Sequence, residues 1–173
     1  MVAAEFPRAR TPPAMLRILP CLPALALIAV PAFAGFSGHV PGWRIEPLPA
    51  GGGCLASRGL EGGAALRLRL DAGGTTGALH VVTPDWGPLI EGDAYAFLYD
   101  LDGEVTEAEG MGSYLDNRPG VLMALASPET VDRLAETQML RIYFGEAEIV
   151  TAELQGGVAA VEAARDCLSA QDG

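Results

Sequence analysis

Few residues in this chain of 173 could do chemistry, and their spacing decides most of what they can do. Ser113 stands in Gly110-Met111-Gly112-Ser113-Tyr114, a serine with glycines before it. A serine nucleophile on a sharp strand-to-helix turn has the form G-x-S-x-G, but here Tyr114 and Leu115 follow where glycine should come. Composition allows a Ser113, His80, Asp85 triad, yet any domain of this size offers such triples by chance. His80 alternates with Ala78 and Val82, which is the pattern of a histidine packed on a strand rather than of a general base. Asp100-Leu101-Asp102-Gly103-Glu104 places carboxylates as at the start of a calcium loop. Such a loop needs glycine at position six and glutamate at position twelve; counted from Asp100 these are Val105 and Met111, and an ordinary hairpin turn explains the cluster.

Metal ligation has no ligand spacing to support it, because His39 and His80 are the only histidines and Cys54 and Cys167 lie far apart in the chain. No cofactor motif is present. The candidates for ligand contact are Trp43 and Trp86, both near turns, where an amphipathic ring either caps a core or stacks on a ligand. Arg118, in Asp116-Asn117-Arg118-Pro119-Gly120, is a loop cation that could meet an anion or pair with Asp116.

The front of the chain reads as a secretion segment. From Met15 there follow a basic residue, Arg17, the apolar run Ile18 to Val30, and Pro31-Ala32-Phe33-Ala34, an A-x-A cleavage site before Gly35. Met15 to Ala34 is complete in itself, so residues 1–14 are expected to be an upstream extension of a signal peptide spanning 1–34. The apolar run is shorter than the roughly 20 residues a membrane span needs, and Pro20, Pro23 and Pro31 punctuate it. Removing this segment takes Cys21 with it and leaves Cys54 and Cys167, an even pair suited to an oxidising compartment and expected to form one disulfide. Residues 35–173 then form a single domain carrying eight arginines, no lysine and twenty-one acids, a formal charge of −13. Such a surface repels nucleic-acid phosphates and anionic lipid, and no membrane span is expected after processing.

These residues need elements to position them. Strands are expected at Trp43 to Leu48, in a stub at Cys54 to Ser57, and at Ala64 to Leu70, where leucines alternate with Arg67 and Arg69. Further strands are expected at Ala78 to Thr83, at Ala94 to Leu101 with Tyr95, Phe97 and Tyr99 on one face, and at Val105 to Glu109, polar enough for a sheet edge. After a loop from Gly110 to Gly120 come strands at Val121 to Ala126, Met139 to Phe144 and Ala147 to Leu154. Ser127-Pro128-Glu129 opens one helix and Gly156 or Gly157 a closing one that runs to about Leu168. The sum is an α+β domain, a mainly antiparallel twisted sheet or partly closed barrel of about eight strands with two helices.

The stretch Leu154 to Cys167, with Gly156 and Ala160 at fixed offsets between them, resembles the C-terminal pattern of small exported proteins of alphaproteobacteria. Trp43, Cys54-Leu55-Ala56-Ser57, Trp86 in a turn, and Tyr95 leading to Asp102-Gly103 are similar in spacing. A more distant likeness is to the invasion-associated locus B proteins, also small and secreted, with an opening tryptophan and cysteines nearby; this chain departs from them in having one cysteine pair after processing. The resemblance implies an envelope location and no catalytic residues to carry over. The leading expectation is therefore a periplasmic or secreted, non-enzymatic domain that binds an envelope partner protein or a small ligand. The alternatives are an envelope hydrolase using Ser113 with His80 and a structural or stress-protective envelope protein.

Overall fold

The computed structural model describes residues 39–49 and 52–171. The expected signal peptide, 1–34, lies outside the described residues, as does its upstream extension.

Ten strands form one open antiparallel sheet: β1 (His39–Val40), β2 (Trp43–Pro47), β3 (Cys54–Gly59), β4 (Ala65–Leu70), β5 (Gly77–Val82), β6 (Ala94–Leu101), β7 (Glu104–Leu115), β8 (Arg118–Leu125), β9 (Met139–Phe144) and β10 (Ala147–Glu153). Their order across the sheet is β1-β2-β3-β4-β5-β8-β7-β6-β9-β10, with β1 and β10 as the edges. The stub at Cys54 is a full strand, and β1 adds a short strand at the edge. Strict alternation sets the two faces. Leu66, Leu68 and Leu70 on β4 and Leu79 and Val81 on β5 are buried on the inner face, while Arg67 and His80, opposite one another in register, share the outer face.

Two sequence expectations are corrected here. The stretch from Gly110 to Gly120 is not a loop: β7 runs on to Leu115, and Asp116-Asn117 turns the chain directly into β8. Both turn residues have positive φ, 51° and 62°, the geometry of a tight primed hairpin, which asparagine and aspartate tolerate better than most side chains. The second correction concerns the Val105 strand, which lies between β6 and β8 and is not an edge. Its glutamates, Glu107 and Glu109, alternate outward into water because an antiparallel sheet needs only one dry face. Asp102-Gly103 does form the β6–β7 turn, with positive φ at both residues.

Helices α1 (Pro128–Glu136) and α2 (Gly157–Ser169) cover the inner face. The Ser127 hydroxyl caps α1 by accepting from the Thr130 amide. α1 buries Val131, Leu134 and Ala135; α2 buries Ala160, Val161, Ala164 and Leu168. A disulfide joins Cys54 on β3 to Cys167 near the end of α2, 113 residues apart in sequence. No helix among the described residues is long and apolar enough to cross a membrane.

The start of α2 passes directly over the end of α1. A Cβ added at Gly157 would lie 2.5 Å from the Ala135 carbonyl oxygen, a backbone atom with no rotamer to yield. Gly157→Ala gains at most about 1 kcal/mol of helix propensity, against roughly 1–3 kcal/mol for overpacking. We expect a net loss of about 1–2 kcal/mol, read as a lower urea midpoint at unchanged slope.

Candidate functional site

On the inner face, α1 leaves part of the sheet uncovered. A nine-residue helix is about 13 Å long and about 10 Å wide. The span from β5 through β8, β7 and β6 to β9 is roughly 19 Å at normal strand spacing. The remainder is a cavity of about 210 Å³. Val81, Met123, Phe97 and Ile142 form apolar walls on four different strands, and Leu134 of α1 closes it from above. At this opening stand Tyr99 and, from the outer turn of α1, Thr130 and Arg133.

The polar rim is held by charge. Arg133 forms an ion pair with Glu104 at the start of β7, tying the β6–β7 hairpin to α1. The hydrogen bond from Arg133, then its charge, holds the Glu104 carboxyl below its usual range and raises the guanidinium in turn. The Ser127 hydroxyl likewise lowers Glu129, which also reaches the rim. Both members of the Arg133–Glu104 pair are solvated, so the pair contributes little to stability and can exchange partners with an entering ligand.

Ser113 and His80 do meet. Ser113 Oγ lies 2.8 Å from His80 Nε2, across β8, because Gly120 between them has no side chain; a Cβ there would sit 2.6 Å from Nε2. The serine hydroxyl also donates to the Gly120 carbonyl at 3.1 Å. The hydroxyl has one proton and two acceptors within reach, His80 Nε2 and the Gly120 carbonyl, so the carbonyl competes with the imidazole for it, and the tautomer of His80 decides which of the pair donates. Asp85 does not join them: its carboxylate accepts from the Thr83 hydroxyl at 3.3 Å, in a turn after β5. No acid among the described residues is hydrogen-bonded to His80. Burial, then the neighbouring Arg67 charge, lowers its pKa.

Of the other residues singled out in the sequence, Trp43 and Trp86 are buried, with their indole N–H groups donating to the Gln155 and Val81 carbonyls, each at 3.0 Å. Trp86 packs edge-on against Phe97 and Phe144. Neither tryptophan lines the cavity. Arg118 donates to the Gly63 carbonyl and stands 3.9 Å from Asp116. Asp100 is buried and paired with Arg141 at 3.1 Å, and Asp102 accepts from the Gln138 and Met139 amides, so the acidic turn is spent on holding β6 against β9. Among the described residues no three His, Cys, Asp or Glu side chains converge as a metal site. Sequence reasoning missed the rim residues Thr130 and Arg133. The available signal was a short helix placed after an aromatic stripe, Tyr95, Phe97 and Tyr99, too wide for it to cover.

No protein-family model matches this chain, and no curated protein matches it. Among solved structures, the chain is similar in fold to the invasion associated protein B from Bartonella henselae. The TM-score is 0.52 at 14% identity, covering 76% of this chain and 95% of that one.

The depressed His80 pKa has a stability consequence. Below the folded value both states carry the proton, and the folded state is the one that resists it. Stability should fall as pH drops from the unfolded value of 6.5 through the lower folded value, and be unaffected by this group above 6.5. Thermal melts should show that His80→Asn flattens this part of the profile relative to wild type.

Proposed function

We propose that residues 35–173 act outside the cytoplasm, in the periplasm or as a secreted domain, as a non-enzymatic module that binds a small ligand in the cavity under α1. The observation that carries this reading is the combination of an apolar interior with a rim of convergent polar groups, the usual composition of a ligand site. Four strand walls hold the apolar part of a ligand, while Arg133, Thr130 and Tyr99 meet a polar end. The signal-peptide pattern before Gly35, the cysteine pair and the C-terminal likeness to small exported proteins support the location. A fold shared with an invasion associated protein is compatible with binding without catalysis.

The hydrolase alternative rests on the 2.8 Å contact between Ser113 and His80. Among the described residues no acid is hydrogen-bonded to the imidazole to orient it, and the Gly120 carbonyl competes with His80 for the serine's single proton. Ser113 is better explained as one half of a structural clasp across β8.

The test is titration of the purified protein with an environment-sensitive apolar fluorophore. Saturable enhancement is expected, and Thr130→Phe, which fills the mouth from a half-buried helix position, should weaken it by about tenfold or more. Fluorescence that rises without saturation, or that is indifferent to Thr130→Phe in a variant with an unchanged melt, would sink the reading. In an esterase screen no turnover is expected; a turnover abolished by Ser113→Ala would restore the hydrolase.

A further inference from the structure

The outer face of the sheet, on the other side from the cavity, carries a second groove of about 250 Å³. Arg67 and Arg69 of β4 and His80 of β5 supply its polar wall, and Leu48, Leu55 and Leu122 its apolar one. Arg67 and His80 are direct cross-strand partners, so the guanidinium faces an imidazole where a carboxylate would be stabilising. The mismatch stands out because carboxylates outnumber arginines two to one along the whole chain.

None of the ion pairs among the described residues involves Arg67. Six of the eight arginines in the described residues stand within 4.0 Å of an acid: Arg44, Arg69, Arg118, Arg133, Arg141 and Arg165. Arg58 donates to the Gln155 carbonyl and stacks over Trp43. Arg67 alone has neither an ion pair nor a side-chain hydrogen bond among the described residues. It is half-buried and lines the groove with Leu48, Leu55 and Leu122, and none of its guanidinium donors is engaged among the described residues.

We propose that this groove binds a small organic anion: a carboxylate or phosphate head carrying a short apolar chain. The head would lie between Arg67, Arg69 and His80, and the chain along Leu48, Leu55 and Leu122. An anion there supplies the counter-charge the register withholds, and the guanidinium fork suits a two-oxygen head. The volume is below the roughly 300–1,000 Å³ of pockets for drug-sized ligands, which sets the chain at about six carbons. Ser113 holds the imidazole from the β7 side, so the clasp described above positions one wall of this site. The site is separate from the cavity under α1 and stands or falls independently of it.

The experiment is an NMR titration of the purified protein with hexanoate, hexyl phosphate, neutral 1-hexanol and inorganic phosphate, following His80 and Leu122. Saturable shifts at both residues are expected with the two amphiphilic anions. Hexanol and inorganic phosphate should each bind about tenfold or more weakly, the scale of one lost charge-assisted hydrogen bond or of a buried short chain. Arg67→Gln should weaken hexanoate by about tenfold, and Leu122→Asn should do so for hexanoate but not for inorganic phosphate, with thermal melts of both variants confirming the fold. The proposal is overturned if hexanol binds as well as hexanoate, if inorganic phosphate matches hexyl phosphate, if Arg67→Gln binds as wild type, or if the shifts cluster at the α1 cavity. Capture by phosphatidylglycerol vesicles without any response to the soluble anions would equally overturn it in favour of a lipid surface.

Discussion

The covalent tie between Cys54 and Cys167 is the constraint on which the rest of the structure depends. An open sheet of ten strands with leucine and valine along its inner face cannot remain exposed, and among the described residues two short α-helices cover it. α2 arrives last in the chain yet must lie against the first strands, near Trp43 and β3. Holding together segments 113 residues apart is entropically costly in a small domain, and the disulfide removes most of that cost from the unfolded side. Once α2 is seated, Gly157 admits the end of α1 to within a backbone contact, and the position of α1 in turn sets how much of the inner face is left open.

The sheet thus has two faces of different character. Inside, the shortfall between a nine-residue helix and a five-strand span makes an apolar cavity with a charged rim. Outside, the same strands present Arg67 and His80 across from each other, with Gly120 removed from the way so that Ser113 can fix the imidazole. That contact orients the imidazole on the outer face. Among the described residues no acid is hydrogen-bonded to the ring, and burial and the Arg67 charge disfavour its charged form.

Much of this was legible in the sequence because the signals were local. Leu66, Leu68 and Leu70 alternating with arginines gave β4 and its faces, Asp102-Gly103 gave the β6–β7 turn, and Ser127-Pro128 gave the start of α1 within a residue. The β7–β8 hairpin was obscured because Asp116-Asn117 is followed by Arg118 and proline, which read as loop, and because Gly110 and Gly112 read as breakers. The structure uses those glycines for close approach: a Cβ at Gly110 would meet Val121 at 2.4 Å. What a linear reading could not give is juxtaposition. The cavity draws on four strands and a helix, and the meeting of Ser113 with His80 requires the order β5-β8-β7, in which sequence neighbours are not spatial ones.

The most direct test of the central constraint is equilibrium unfolding of the purified protein with the Cys54–Cys167 bond intact and after its reduction. The account expects the reduced protein to lose roughly 4 to 5 kcal/mol, the scale of a loop of this length, with α2 released first in hydrogen exchange. Superimposable unfolding curves for the two forms, with α2 amides equally protected in both, would contradict it.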